Sequence, residues 1–229
     1  MTMHSFSKYI EGLSQNFVPV ISSEFSNKEY IAIDLSKNSA VLENIDVSSS
    51  QAFEECIHQY LLVNKAKVAY GGYHEVRGIY SRSMHFNQQD PMTERSIHLG
   101  LDIWCNAATA VIAPLNGKVH SFKNNNNFGD YGPTIILEHT IGGVSFYTLY
   151  GHLSVTSIHA IKIGQEFDRG AIIGNLGDSS VNGDYAPHLH FQIIKDMQGN
   201  FGDYPGVSNK MDMPYYIENC PDPNLLLKI

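Results

Sequence analysis

Ile97-His98-Leu99-Gly100-Leu101-Asp102-Ile103-Trp104 alternates apolar residues with a histidine, a glycine and an aspartate. A period of two is the mark of a strand, whose successive side chains point to opposite faces. A helix would also bring positions 98 and 102 together, but the alternation and the central glycine argue against one. In a straight strand His98 and Asp102 share a face yet stand roughly 13 Å apart, at about 3.3 Å per residue, too far to grip one ion. The stretch must bend, and Gly100 permits the bend. We read it as a bulged strand.

Two further segments carry the same chemistry: Tyr150-Gly151-His152-Leu153 and Pro187-His188-Leu189-His190-Phe191. A catalytic zinc takes three protein nitrogen or oxygen ligands and leaves its fourth position to water, whose pKa it lowers to about 7. His98, Asp102, His152, His188 and His190 are enough for three ligands and two groups that handle protons. His188 and His190, two apart on a strand, share a face at roughly 6.5–7 Å, so one could ligate while the other bonds the water. A lone histidine is more often a core or surface residue, and His4, His58, His74, His120, His139 and His159 are read that way. There is no His-Glu-x-x-His motif to supply a glutamate base.

Taken in this order, the segments resemble those of the lysostaphin-like (LytM-type) zinc metallopeptidases, with His-x-x-x-Asp, then Tyr-x-His-Leu, then His-Leu-His-Phe. The resemblance spans roughly residues 95 to 195 and includes Ala113–Val119, Thr134–His139 and Gly164–Gly177. It implies His98, Asp102 and His190 as ligands of one zinc per chain, with His152 and His188 as the catalytic pair. It also implies an antiparallel β-barrel or sandwich and hydrolysis of a peptide or amide bond by a metal-activated water. In that family a segment upstream of the core can cover the cleft and place an asparagine on the zinc. His85 and Asn87 are the nearest candidates for that role here.

The chain departs from the common pattern at Asp178–Pro187, where many relatives carry a small Ser-Thr-Gly type loop. The flanks Gly71–Tyr80 and Cys220–Leu227 are similar to a peptidase-like module fused between a small-molecule kinase-like domain and an aminotransferase. That likeness points toward a small amino-acid-derived amide as an alternative substrate. A non-catalytic binding module of the same fold is the other alternative, opposed by the retention of all five groups.

Composition sets the outer bounds. With 229 residues, 43% hydrophobic and 17% charged, the chain can bury a substantial core. A net charge of −8 without a Lys/Arg cluster argues against nucleic-acid or anionic-membrane partners. Met1–Ile10 lacks a basic start followed by an apolar run, and no apolar run approaches 18 residues. Cys56, Cys105 and Cys220 form an odd set without Cys-x-x-Cys spacing and read as free thiols. A cytoplasmic location is the expectation.

The fold class expected is mainly β, with residues 1–80 as a small α/β N-terminal region and 81–229 as the zinc metallopeptidase domain with a C-terminal extension. In the first region a helix is predicted around Ser5–Ser14, β-type stretches at Phe17–Ile21 and Tyr30–Leu35, and a second helix over Ser48–Leu62. That second helix places Phe53, Ile57, Tyr60 and Leu61 on one face. From about residue 95 onward, short β-type runs are broken by glycine every eight to twelve residues. Tyr131, Tyr147 and Tyr185 are candidates for the pocket wall, and Tyr131 and Tyr150, the latter beside the catalytic pair, are candidates to bind substrate. Arg77, with Glu75 and Arg82, is a candidate to bind a charged substrate group, since a guanidinium can grip a carboxylate bidentately. A chain beginning near Glu94 is expected to keep zinc and to lose selectivity or activity.

Overall fold

A computed structural model describes residues 3–15, 18–22, 24–83, 86, 90 and 92–229. The N-terminal segment holds α1 (Met3–Leu13), β1 (Tyr30–Ala32), α2 (Ser50–Asn64) and β2 (Val68–Gly71). The strands that follow are β3 (Ile97–His98), β4 (Leu101–Trp104), β5 (Ala110–Ile112), β6 (Gly117–Asn125), β7 (Gly132–Ile141) and β8 (Val144–Gly151). After the short helix α3 (Thr156–His159) come β9 (Glu166–Phe167), β10 (Ile172–Asn175), β11 (His188–Ile194), β12 (Val207–Ser208), α4 (Met213–Asn219) and α5 (Asn224–Leu227). The fold is mainly β, as the sequence predicts.

Eight strands form one large sheet in the order β1-β2-β4-β11-β8-β7-β6-β9, and β5–β10 and β3–β12 make two small ones. The β1–β2 pair is parallel; the other pairs in the large sheet are antiparallel. Among the described residues the large sheet is open, ending on β1 and β9, so the barrel form of the expectation is not met. The N-terminal strands do not make a sheet of their own, because β2 pairs directly with β4.

Local chemistry explains the central hairpin. Gly142 and Gly143, at φ 55° and 79°, supply the left-handed turn that twists with its flanking strands, and Ile141 pairs with Val144 across it. The strand β11, His-Leu-His-Phe-Gln-Ile-Ile, is buried along its whole length because it lies between β4 and β8. Its odd members Leu189, Phe191 and Ile193 join the main core with Leu101, Ile103, Ile135, Leu137 and Phe146. Its even members His188, His190 and Gln192 face the other side, where the site is built.

In the N-terminal segment, α2 starts where Ser49 accepts a hydrogen bond from the Ala52 amide and ends at Lys65 in the left-handed conformation. Phe53 and Ile57 are buried against Ile33, Leu35, Ala69 and Trp104, with Tyr60 and Leu61 packed beside them, so the predicted apolar face is present. The first helix begins earlier than predicted. Of the Phe17–Ile21 stretch, Phe17 lies outside the described residues and Ile21 makes a single bridge to Val111. Cys56, Cys105 and Cys220 are all unpaired.

Candidate active site

Register brings the distant segments together. Across β4 and β11, His190 faces Asp102 and His188 faces Trp104, while Gly151 of β8 faces His190 from the other side. His98 would lie too far along a straight strand, but the chain breaks between β3 and β4. There β3 leaves the large sheet to pair with β12. The bend at Gly100 is the predicted one, although it divides two strands instead of bulging a single one. Gly100 also clears space: a β-carbon there would stand 2.5 Å from His190 Cε1 and 2.6 Å from its Nε2.

The bend closes a triangle of ligand atoms. His98 Nε2 lies 2.9 Å from His190 Nδ1 and 3.3 Å from Asp102 Oδ1, and His190 Nδ1 lies 3.1 Å from the same oxygen. These side chains are 1–2% exposed. Beside them the rings of His152 and His188 face one another with centroids 4.1 Å apart, and His188 stacks on Trp104 at 5.7 Å.

Each imidazole is oriented by its other nitrogen. His98 Nδ1–H donates to the Gly72 carbonyl at 3.0 Å, which leaves Nε2 free for an ion. In His190 the order is reversed: Nε2–H donates to Gln192 Oε1 at 3.0 Å and Nδ1 faces inward. His152 Nδ1–H donates to the Asn182 carbonyl and His188 Nδ1–H to the Ala186 carbonyl, both at 2.7 Å. Four ring nitrogens with free lone pairs result, the state a ligand or a base requires.

Electrostatics agree with that assignment. Burial pushes His98 down to about 3 against the opposing pull of Asp102. Burial likewise lowers His188, and lowers His152 well below the ordinary histidine value. Asp102 is buried too, which opposes ionisation, but His98, Arg77 and His188 and the His190 hydrogen bond hold its carboxyl well below the usual range. His152 also has a left-handed backbone, φ 62°, a conformation a histidine adopts only when its surroundings impose it. Its amide donates to the Tyr131 carbonyl at 2.8 Å, which fixes the turn.

A cleft of about 240 Å³ opens over these groups, with Tyr80, Phe86, Arg95, Trp104, Tyr131 and Tyr185 among its walls. Residues 96–201 match Peptidase family M23. An "Uncharacterized metalloprotease" of Haemophilus influenzae is 34% identical over 108 residues, covering 47% of this chain and 21% of the relative. The chain therefore spans about a fifth of that protein's length. Among solved structures, the catalytic domain of the antimicrobial peptidase lysostaphin from Staphylococcus simulans is 26% identical, covers 68% of this chain and 95% of its own, and has a TM-score of 0.39. A zinc containing peptidase from Vibrio cholerae is 27% identical over 47% of this chain and 30% of its own, at a TM-score of 0.35.

Within the M23 segment the residues fit a zinc ion. Zinc–nitrogen and zinc–oxygen bonds of about 2.0–2.1 Å in a tetrahedron separate neighbouring ligand atoms by about 3.3 Å, close to the 2.9–3.3 Å triangle. Two imidazoles and one carboxylate, each held from behind, are a recognised catalytic donor set. His98, Asp102 and His190 form the one group of three such residues whose ligand atoms converge, among the described residues.

The structure sorts the remaining candidates. Tyr131 lines the cleft, with its hydroxyl 3.4 Å from His190 Nε2, and Tyr185 lines it as well. Tyr150 is a correction: its ring is fully buried in the core against Phe191, its hydroxyl meets Thr148 at 2.9 Å, and it is absent from the cleft wall. In β8 Gly151 lies opposite His190 and Tyr150 opposite Phe191, so alternation puts Tyr150 on the core face, and the left-handed turn at His152 after the strand's end breaks that alternation. Tyr147 lies away from the cleft, edge-on to His120. Arg77 has a further role beside the expected one. It reaches the cleft, but Nη1 donates to Asp102 Oδ2 and Nε donates to Glu75 Oε2 at 2.5 Å, so the guanidinium grips a candidate ligand. Arg82 is likewise taken, by Asp184 and by the ring of Tyr185. His85 and Asn87 lie outside the described residues.

Sequence reasoning missed Gln192, Trp104 and the Gly72 carbonyl. Gln192 was within reach, since it stands two residues beyond His190 on the same face of β11. Trp104 meets His188 because β4 pairs with β11, and the Gly72 carbonyl meets His98 because the chain after β2 lies against β3, and no local pattern announces either.

Proposed function

We propose that the chain is a zinc metallopeptidase in which His98, Asp102 and His190 hold one zinc and His152 and His188 move the protons. The observation that carries this reading is the 2.9–3.3 Å triangle of ligand atoms with two further inward-facing imidazoles beside it. Bound zinc would polarise the scissile carbonyl and lower the pKa of water to about 7. The other steps belong to the protein. With Nδ1–H donated to a backbone carbonyl, each of His152 and His188 keeps a free Nε2 lone pair. One of them can take the proton of the attacking water and return it to the leaving amine.

The imidazolium so formed would stand beside the developing oxyanion and stabilise its charge. The Tyr131 hydroxyl stays protonated because burial raises its pKa well above the ordinary value, so it can donate to the substrate carbonyl from the cleft wall. The fusion context suggested by the flanks and a cytoplasmic location are part of this proposal. The three unpaired cysteines favour the location.

Metal analysis of the purified chain tests the centre directly. About one zinc per chain is expected, with loss in His98→Ala, Asp102→Ala and His190→Ala. Full zinc in all three variants would overturn the ligand set. Turnover of short peptides and amides by the wild type, absent from His188→Ala, tests the activity.

A further inference from the structure

Residues 72–77 precede the M23 match, yet they touch two of its three candidate ligands. Their backbone is zipped onto β3: the His74 amide donates to the His98 carbonyl at 3.0 Å, the His98 amide to the Glu75 carbonyl at 3.0 Å, and the Arg77 amide to the Ser96 carbonyl at 2.9 Å. On the other side, Gly71 of β2 pairs with Asp102 of β4. Ladders on both sides leave the segment little freedom relative to the site.

The side chains continue the connection. The Leu35 amide donates to Glu75 Oε1 at 2.8 Å, Glu75 Oε2 receives Arg77 Nε at 2.5 Å, and Arg77 Nη1 donates to Asp102 Oδ2. All three charged side chains are at least 89% buried. The two oxygens of Asp102 are thereby divided. Oδ2 accepts from Arg77 and also stands 3.9 Å from His188 Nε2, while Oδ1 faces His98 and His190. Gly72 holds the other ligand through the hydrogen bond from His98 Nδ1–H. A β-carbon at Gly72, where φ is 105°, would collide with Arg77 Nη2 and stand 2.8 Å from His98 Nδ1. A glycine here thus allows the guanidinium and the imidazole to sit side by side.

We propose that this upstream segment is a working part of the metal centre: Gly72 sets the ring of His98, and Arg77, braced by Glu75, makes Asp102 a one-oxygen ligand. The inference rests on the zinc reading above. It replaces the expectation that the region before Glu94 only shapes substrate selection. Arg77, Glu75 and Gly72 are positioning residues, acting through His98 and Asp102. Arginine suits the task because its planar fork serves two carboxylates at once, whereas lysine presents one point charge.

The test uses the full chain, with zinc affinity measured against a competing chromogenic chelator and the visible spectrum of the cobalt(II)-loaded protein as a second readout. Arg77→Met is expected to bind zinc about ten- to a hundredfold more weakly, the usual effect of losing a group that orients a ligand. Its cobalt bands should weaken as Asp102 turns both oxygens to the ion and the coordination number rises. Arg77→Lys should fall between wild type and Arg77→Met, and Glu75→Gln should shift both readouts in the same direction by less. If Arg77→Met does not fold, those two milder variants decide by the same readouts. A lowered unfolding midpoint with unchanged cobalt bands and unchanged or tighter zinc binding would overturn the proposal, because a purely structural ion pair predicts that result. A wild-type chain that takes up no zinc would overturn the zinc reading itself, before any variant is compared.

Discussion

The imidazole of His190 lies directly over the α-carbon of Gly100, so close that a β-carbon there would stand 2.5 Å from Cε1, 2.6 Å from Nε2 and 2.9 Å from the Phe191 carbonyl oxygen. Nothing in the β11 backbone can yield, because it is bonded on both sides. Gly100→Ala should therefore displace the His190 ring. We expect a stability loss of about 1–3 kcal/mol, typical of overpacking, and zinc affinity reduced by about tenfold or more. Denaturant unfolding and chelator competition measure the two effects, and wild-type zinc affinity in the alanine variant would show that the contact is loose.

His152→Ala and His188→Ala should keep their zinc and lose hydrolysis by roughly 10²–10⁴-fold, the usual scale of positioned proton transfer and charge stabilisation. Metal analysis beside a turnover assay separates the two roles; zinc loss in either variant would make that histidine a ligand. The pH profile adds a second check. From sequence, activity is expected to fall below about pH 6.5, the unperturbed histidine value. Burial lowers both residues in the fold, so the acid limb of kcat/KM should lie below that pH.

His139 predicts a pH dependence of stability remote from the site. It is fully buried, with Nδ1–H donated to the Asn116 carbonyl at 2.8 Å and Nε2 2.7 Å from the Thr148 hydroxyl, and burial pushes its pKa down to about 4. Because the folded value lies below the unfolded one, the unfolded chain binds more protons between about pH 6.5 and 4, and stability falls as pH drops through that window. The share of His139 is on the order of 3 kcal/mol, complete below about pH 4. In His139→Gln the pH slope of the unfolding free energy should drop by up to one proton in this range. An unchanged slope would mean that His139 is not the group being protonated.

Tyr150→Phe tests the correction made for that residue. Among the described residues its hydroxyl meets Thr148 in the buried core, so removing it should cost about 1 kcal/mol of stability, the net value of one hydrogen bond. Substrate kinetics should not move. A raised KM would return Tyr150 to the substrate.

Much of the site was legible in the chain itself, because its signals are local. Alternation over Ile97–Trp104, the need for a bend at Gly100, and the shared face of His188 and His190 follow from the period and rise of a strand. The apolar face of α2 and the unpaired cysteines depend only on residue type and spacing. Tyr150 and Arg77 show where that reading stops. Which face a tyrosine takes depends on the sheet it joins, and which anion an arginine meets depends on chain folded beside it. The triangle of His98, Asp102 and His190 exists because β4 and β11 pair in one register, and a shift by a single residue would turn His190 into the core. The ring nitrogen that each histidine presents is chosen by carbonyls and an amide supplied by Gly72, Asn182, Ala186 and Gln192. Sequence determined which groups could bind a metal and move a proton; tertiary structure decided their register and orientation, because hydrogen bonds between distant segments set both.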